Sequence, residues 1–205
     1  MAAAQGAVTG VTGDASYISA PPSVEAGDLT NNLGFYVFDE KTVTLSSALD
    51  VDWFASNGGT LSNGGGGTIS AGTSLTSYFV HFNPEGDPDI GREVAGNLTF
   101  SQKIIAVIFT SPHLDASDSV VGVAGTDYPT GIDSRKYENF DVNNSYLVDA
   151  YTLHINTKAW APWMDQARVI TAPVPVPAAL WLFGSGVLAV LGFSRRKRRE
   201  AALAG

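Results

Sequence analysis

TSLTSYFVHF, residues 73–82, sets Tyr78, Val80 and Phe82 on one side of an extended chain, a period of two that a helix cannot produce. The same grammar recurs on both sides of it. GFYVFDE, TVTLSSALDVDWF, NLTF, KIIAVIF, SYLVDAYTLHI and ARVIT are short runs rich in β-branched and aromatic residues, and Leu153 and Ile155 alternate in the same way. Ile104 to Phe109 is apolar on both faces and predicts a central, buried strand. Between the runs stand NGG, NGGGG, NPEGDPD and SPHLDASDS, which read as turns because Gly, Pro, Asn and Asp each favour one local backbone solution. Strands at this spacing, with almost no helical period, predict an all-β fold: an antiparallel β-sandwich or jelly roll over residues 31–171.

Charge divides the chain unevenly. The tail from Arg195 to Glu200 holds five of the twelve cations and one of the twenty acids, which leaves seven cations against nineteen acids before it, a net charge of −12. Such a body repels phosphate backbones, so a nucleic-acid partner is not expected. Cysteine is absent, which removes disulfides, thiolate catalysis and zinc thiolate sites. Residues 1–30 are small, Gly-rich and Thr-rich, without a basic and apolar secretory pair. They read as a flexible leader or the remnant of an export signal, and a native reading frame starting upstream of Met1 is the expectation.

Few candidate sites stand above background. Asn83, Glu85, Asp87 and Asp89 place oxygen ligands at every second position, a spacing that suits a hard cation such as calcium. The sixth and twelfth positions of that loop are Pro88 and Val94, not the Gly and Glu of an EF-hand, and an exposed acidic turn is the plainer account. Asp115 and Asp118 invite the same two readings. His81, His113 and His154 are scattered, with no metal-ligand spacing among them, and neither a GxSxG elbow for a soluble triad nor a phosphate loop with its lysine is present. Catalysis is therefore not expected, and no cofactor other than calcium at Glu85, Asp87 and Asp89 is suggested. Trp160 and Trp163 have the flat faces on which sugars stack, although turn packing explains AWAPW as well.

The end of the chain differs from everything before it. VPVPAALWLFGSGVLAVLGFSRRKRR, residues 174–199, runs from a proline-punctuated entry through an uncharged stretch, Ala178 to Phe193, to five consecutive cations. As a helix those sixteen residues would be about 24 Å long. That spans a bilayer if Val176 and Pro177 at one end and snorkelling arginines at the other make up the difference. A single C-terminal transmembrane helix is the expectation, with Arg195, Arg196, Lys197, Arg198 and Arg199 as the cytoplasmic stop and the acidic body outside.

This order of parts resembles the PEP-CTERM sorting signal of Gram-negative bacteria, in particular its VPxPAA-W-LFGSG variant. The resemblance implies that Val174, Pro175, Val176, Pro177 and Ala178 form the motif read by an exosortase, a membrane-embedded processing enzyme, within a sorting region of residues 172–200. Val176 stands where the namesake pattern has glutamate. Gly184, Ser185, Gly186 and Ala189 offer small residues on which another membrane helix can dock. Echoes in the body, SYFVHFNP, VAGNLTF, KIIAVIF, GTDY and DQARVIT, resemble exported proteins that carry this tail.

Bacteria with this system make exopolysaccharide and biofilm matrix. The resemblance thus implies an exported protein, membrane-associated in transit and then at the surface, with a structural or binding role near that polysaccharide. The alternatives are a calcium-dependent carbohydrate-binding module and a polysaccharide-active enzyme.

Overall fold

Three layers, not two, make up the body. The computed structural model describes residues 7–62, 64–131, 135 and 144–172. The chain runs through β1 (Val8–Gly13), β2 (Ala15–Tyr17), β3 (Phe35–Thr44), β4 (Leu49–Val51), β5 (Trp53–Phe54), β6 (Gly67–Ile69), β7 (Ser74–Phe82), β8 (Arg92–Phe100) and β9 (Ile104–Ile108). A helix α1 (Ser111–Val121), then β10 (Tyr146–Leu147), β11 (Thr152–Ala159) and β12 (Asp165–Thr171) complete it. One sheet has the order β1-β8-β11-β10, the second β2-β3-β7-β12-β9-β5, and β4 pairs with β6 in a small ribbon.

Two apolar cores follow from the strand alternation. Tyr78, Val80 and Phe82 of β7 meet Leu153 and Ile155 of β11 and Leu98 and Phe100 of β8 between the two sheets. The other face of the six-stranded sheet, with Phe38, Phe79, Ala106, Ile108 and Ile170, is covered by Leu114 and Val121 of α1 and by Leu49, Val51 and Ile69 of the ribbon. A sheet covered on both faces needs strands that are apolar on both faces, and β9 is one. Its neighbours are β12 and β5, so the predicted central strand is internal.

The helix departs from expectation. SPHLDASDS reads as a turn because Asp and Ser dominate it, yet Leu114, Ser117 and Val121 recur on one side and are buried, and Pro112 sits in the first turn, where proline is tolerated. The short apolar stripe is hidden in a polar-looking stretch, and the packing of Leu114 and Val121 onto the sheet decides the matter.

The amino-terminal boundary also moves. Residues 8–17, read as leader, belong to both sheets: β1 lies antiparallel to β8, and β2 parallel to β3. The chain changes sheets at Gly13, whose φ of +70° suits only glycine and whose Cβ would stand 2.5 Å from the Ala95 carbonyl. Asp14 fixes the crossing by accepting from the Ala95 N–H at 2.9 Å. Gln5–Pro173 forms one compact unit. The expected transmembrane span lies outside the described residues, and among those described no helix is long and apolar enough to cross a membrane.

Candidate functional site

Strand register gathers three connections at one end of the sandwich. In the six-stranded sheet Tyr36 faces His81 and Phe82 faces Asp165; in the four-stranded sheet Arg92 faces Ala159. The segment entering β3 (24–34), the β7–β8 connection (83–91) and the β11–β12 connection (160–164) therefore lie side by side. The first two are also stitched together. Asn31 N–H donates to the Asn83 carbonyl at 2.9 Å, Glu85 N–H to Asn32 Oδ1 at 2.9 Å, and Asn83 Nδ2 to the Asp28 carbonyl at 3.0 Å.

Beneath them the support is buried and polar. Gln166 Nε2 donates to the Val24 carbonyl at 2.7 Å and to His81 Nδ1 at 3.0 Å. Burial lowers His81 to about 4, against the opposing pull of the Asp28 backbone. The third connection is a tight turn with a cis Ala161–Pro162 bond, closed by Trp163 N–H donating to the Trp160 carbonyl at 2.6 Å. Trp160 lies against Gly91, where a Cβ would stand 2.7 Å from the indole, and Lys158 Nζ sits 5.2 Å from its ring centroid. Between the connections opens a cleft of about 360 Å³ lined by Thr30, Asn83, Glu85, Gly86, Ala161 and Pro162, among others.

Glu85 is thus in a cleft. Its Oε2 accepts from Thr30 Oγ1 at 3.2 Å, while Asp87 Oδ1 accepts from the Asp89 N–H at 2.9 Å to close an Asx turn. Among the described residues no three His, Asp or Glu side chains are gathered as metal ligands would be. Asp115 and Asp118, the other acidic pair, turn to arginine: Arg135 Nη1 donates to both, at 2.7 and 2.9 Å. The motif residues Val174 to Ala178, the docking residues Gly184, Ser185, Gly186 and Ala189, and the basic stop Arg195 to Arg199 lie outside the described residues.

A second cleft, of about 350 Å³, contains a pairing that sequence reasoning missed. Asp50, Gly64, Gly66, Gly67, Thr68 and His113 are among its walls. At its edge the buried carboxylate of Asp52 accepts from Phe109 N–H at 2.6 Å, Thr110 N–H at 2.8 Å, Thr110 Oγ1 at 2.8 Å and His113 Nδ1 at 2.6 Å. Thr110 is the N-cap of α1 without capping it by its own side chain, so Asp52 supplies the acceptor from a distant segment. An ionised carboxylate only accepts, so the Nδ1 that faces Asp52 carries a proton. No local spacing signals this pair, because 61 residues separate its members. His154 is simpler: on the outer sheet face it stacks 4.8 Å from the Tyr146 ring and bonds Asn97 Oδ1 at 2.8 Å.

A β-rich body followed by a proline motif, an apolar stretch and a basic end has the composition of a protein sorted to the cell surface. The signal itself is particular. Residues 173–199 match the PEP-CTERM protein-sorting motif, the tag through which exosortase sorts exported proteins. No curated protein and no solved structure matches the chain.

Proposed function

We propose that the protein is delivered to the cell surface through its C-terminal signal, crosses the inner membrane in transit, and serves there in the exopolysaccharide or biofilm layer by binding rather than by catalysis. The match of residues 173–199 to the sorting motif carries this reading. Cleavage within Pro175 to Ala178 would free the acidic body from its basic stop. The body supports a binding role: its rigid polar end-loops surround a cleft, while its carboxylates at Glu40, Asp115 and Asp118 are committed to arginine. In a host with the matching exosortase, intact mass of surface-extracted protein is expected to end near Ala178. Retention of Arg195 to Arg199 would overturn the processing reading.

The Asp52–His113 pair favours a second reading, a polysaccharide-active enzyme, because a buried carboxylate bonded to Nδ1 orients the imidazole for proton transfer at Nε2. Release of reducing ends from matrix polysaccharide, lost in His113→Gln, would establish that reading in place of binding.

A further inference from the structure

The loop end that holds the first cleft has two properties that the rest of the surface does not explain. Its three segments, 24–34, 83–91 and 160–164, contain Glu25, Asp28, Glu85, Asp87 and Asp89 and not one Lys or Arg. Each segment also exposes one large apolar side chain: Leu33 is 84% exposed, Ile90 47% and Trp163 52%. Large apolar side chains left exposed on adjoining polar loops mark a surface that meets something. Two of the loops are already fixed, since Asn31, Asn32, Asn83 and Glu85 hold 24–34 to 83–91, and the third is closed on itself by the Trp163–Trp160 bond, so little ordering cost remains for a ligand to meet.

Resting on the binding role argued above, we infer that this cleft is a glycan-binding site, and that it takes pyranose chains that are neutral or carry amino groups while rejecting acidic ones. The shape favours a sugar over a protein partner. The open cleft combines apolar surface with the hydroxyl of Thr30, the amide of Asn83 and the carboxylate of Glu85. Such a lining offers hydrogen-bond acceptors to a ligand rich in hydroxyls, and the indole of Trp163, next in the chain to Pro162, offers a flat apolar face to the C–H side of a pyranose ring. Selectivity follows from charge. Five carboxylates in the three segments, set against Lys158, whose ammonium is held over the Trp160 ring, attract an ammonium group and repel a uronate, an effect screened by salt. Glu85 is the carboxylate in the lining.

The test is titration of the full-length protein with three soluble hexamers: glucosamine, cellohexaose and galacturonate. The glucosamine hexamer is expected to bind tightest and to weaken as salt rises, cellohexaose to bind without salt dependence, and the galacturonate hexamer not to bind. Trp163→Ala should weaken both ligands at least tenfold, with Trp163→Phe restoring most of the loss, and Glu85→Gln should weaken the glucosamine hexamer alone. If the wild type binds but Trp163→Ala and Glu85→Gln bind as well as it does, this cleft is the wrong site while the binding role stands. Binding of the galacturonate hexamer above the others, or no binding of any hexamer, overturns the ligand class. Hexalysine binding that Trp163→Ala leaves unchanged, with no sugar bound, makes the surface a protein interface instead.

Discussion

Arg168 grips Glu40 through two hydrogen bonds, Nε to Oε2 at 2.7 Å and Nη2 to Oε1 at 2.8 Å, and neither side chain reaches solvent. The pair sits where α1 packs on the six-stranded sheet. Arg168 also donates to Asp118 at 2.9 Å and to Ser117 and the Leu114 carbonyl, all on α1, with its guanidinium carbon 5.0 Å from the Phe79 ring centroid and 5.4 Å from that of Tyr128. Burial works against its charge, but Glu40 and Asp118 outweigh that and hold its pKa above the ordinary arginine value. Glu40 accepts further from Ser77 and Tyr128, so every atom of the cluster depends on the others.

Arg168→Met is therefore expected to destabilise the protein by about 3–5 kcal/mol, because it leaves buried carboxylates without their cation. Arg168→Lys should also be costly, since an ammonium cannot reproduce the two-pronged contact. The double change Arg168→Met with Glu40→Gln should recover part of the loss. Urea unfolding of the four proteins measures all three differences.

Two buried groups set opposing responses to pH. His81 titrates at about 4 in the fold against its ordinary 6.5, so between those values the unfolded chain takes up a proton that the fold refuses. Its contribution is complete above about pH 6.5 and is lost as pH falls toward 4. Asp165 lies between the sheets, accepts from Thr157 Oγ1 at 2.6 Å, and is raised by burial to about 8 from its ordinary 3.8. Here the fold holds a proton that the unfolded chain gives up, so its contribution is complete below about pH 4 and is lost as pH rises through 8. From pH 4 to 6.5 the two slopes nearly cancel. From 6.5 to 8 only Asp165 acts, and stability should decline by on the order of 1 kcal/mol per pH unit. Asp165→Asn keeps an acceptor for Thr157 and should flatten that decline, exposing the loss below pH 6.5. Melting temperatures at half-unit steps provide the check.

Asp52 and His113 make unequal contributions. Asp52→Ala removes the carboxylate that accepts from the Phe109 and Thr110 N–H groups at the entry to α1, and is expected to cost about 2–3 kcal/mol. His113→Ala removes one of the four donors to Asp52 on a partly exposed ring and should cost about 1 kcal/mol or less. If His113→Ala matched Asp52→Ala in denaturant titrations, the imidazole and not the capping carboxylate would be the organising element.

What the sequence reveals here depends on how local the cause is. β7, β9, β11 and β12 are legible because alternation is written residue by residue, and Tyr78, Val80 and Phe82 do share a buried face. The tail is legible because its proline, apolar and basic parts are contiguous. Helix α1 is not, since its few apolar positions matter only against Phe79 and Ile170 on a sheet assembled from distant segments. Glu85 stands out as an acid, but its place in a cleft beside Pro162 follows from Phe82 pairing with Asp165, a register that no local pattern states. Arg168 carries a faint signal, a cation alone among β-branched and small residues in DQARVIT, and it is the partner of Glu40, 128 residues away.

The prolines of the sorting motif lend themselves to a last prediction. Pro175 and Pro177 lack the backbone N–H that a helix needs, and their rings exclude helical geometry for the chain before them, which favours an extended segment that a protease can grip at a membrane surface. Three glycines in the apolar stretch, Gly184, Gly186 and Gly192, each cost a helix roughly 1 kcal/mol relative to alanine, which suits a signal to be read and removed better than a permanent anchor. Replacing both prolines with alanine lifts the barrier to helix formation across the motif. In a host with the matching exosortase the variant should accumulate at full length in the membrane fraction while the wild type is cleaved, and membrane fractionation with intact-mass measurement separates the two. Cleavage of the variant at the wild-type rate would mean that the enzyme reads the small residues around Gly184 and Gly186, and not the prolines.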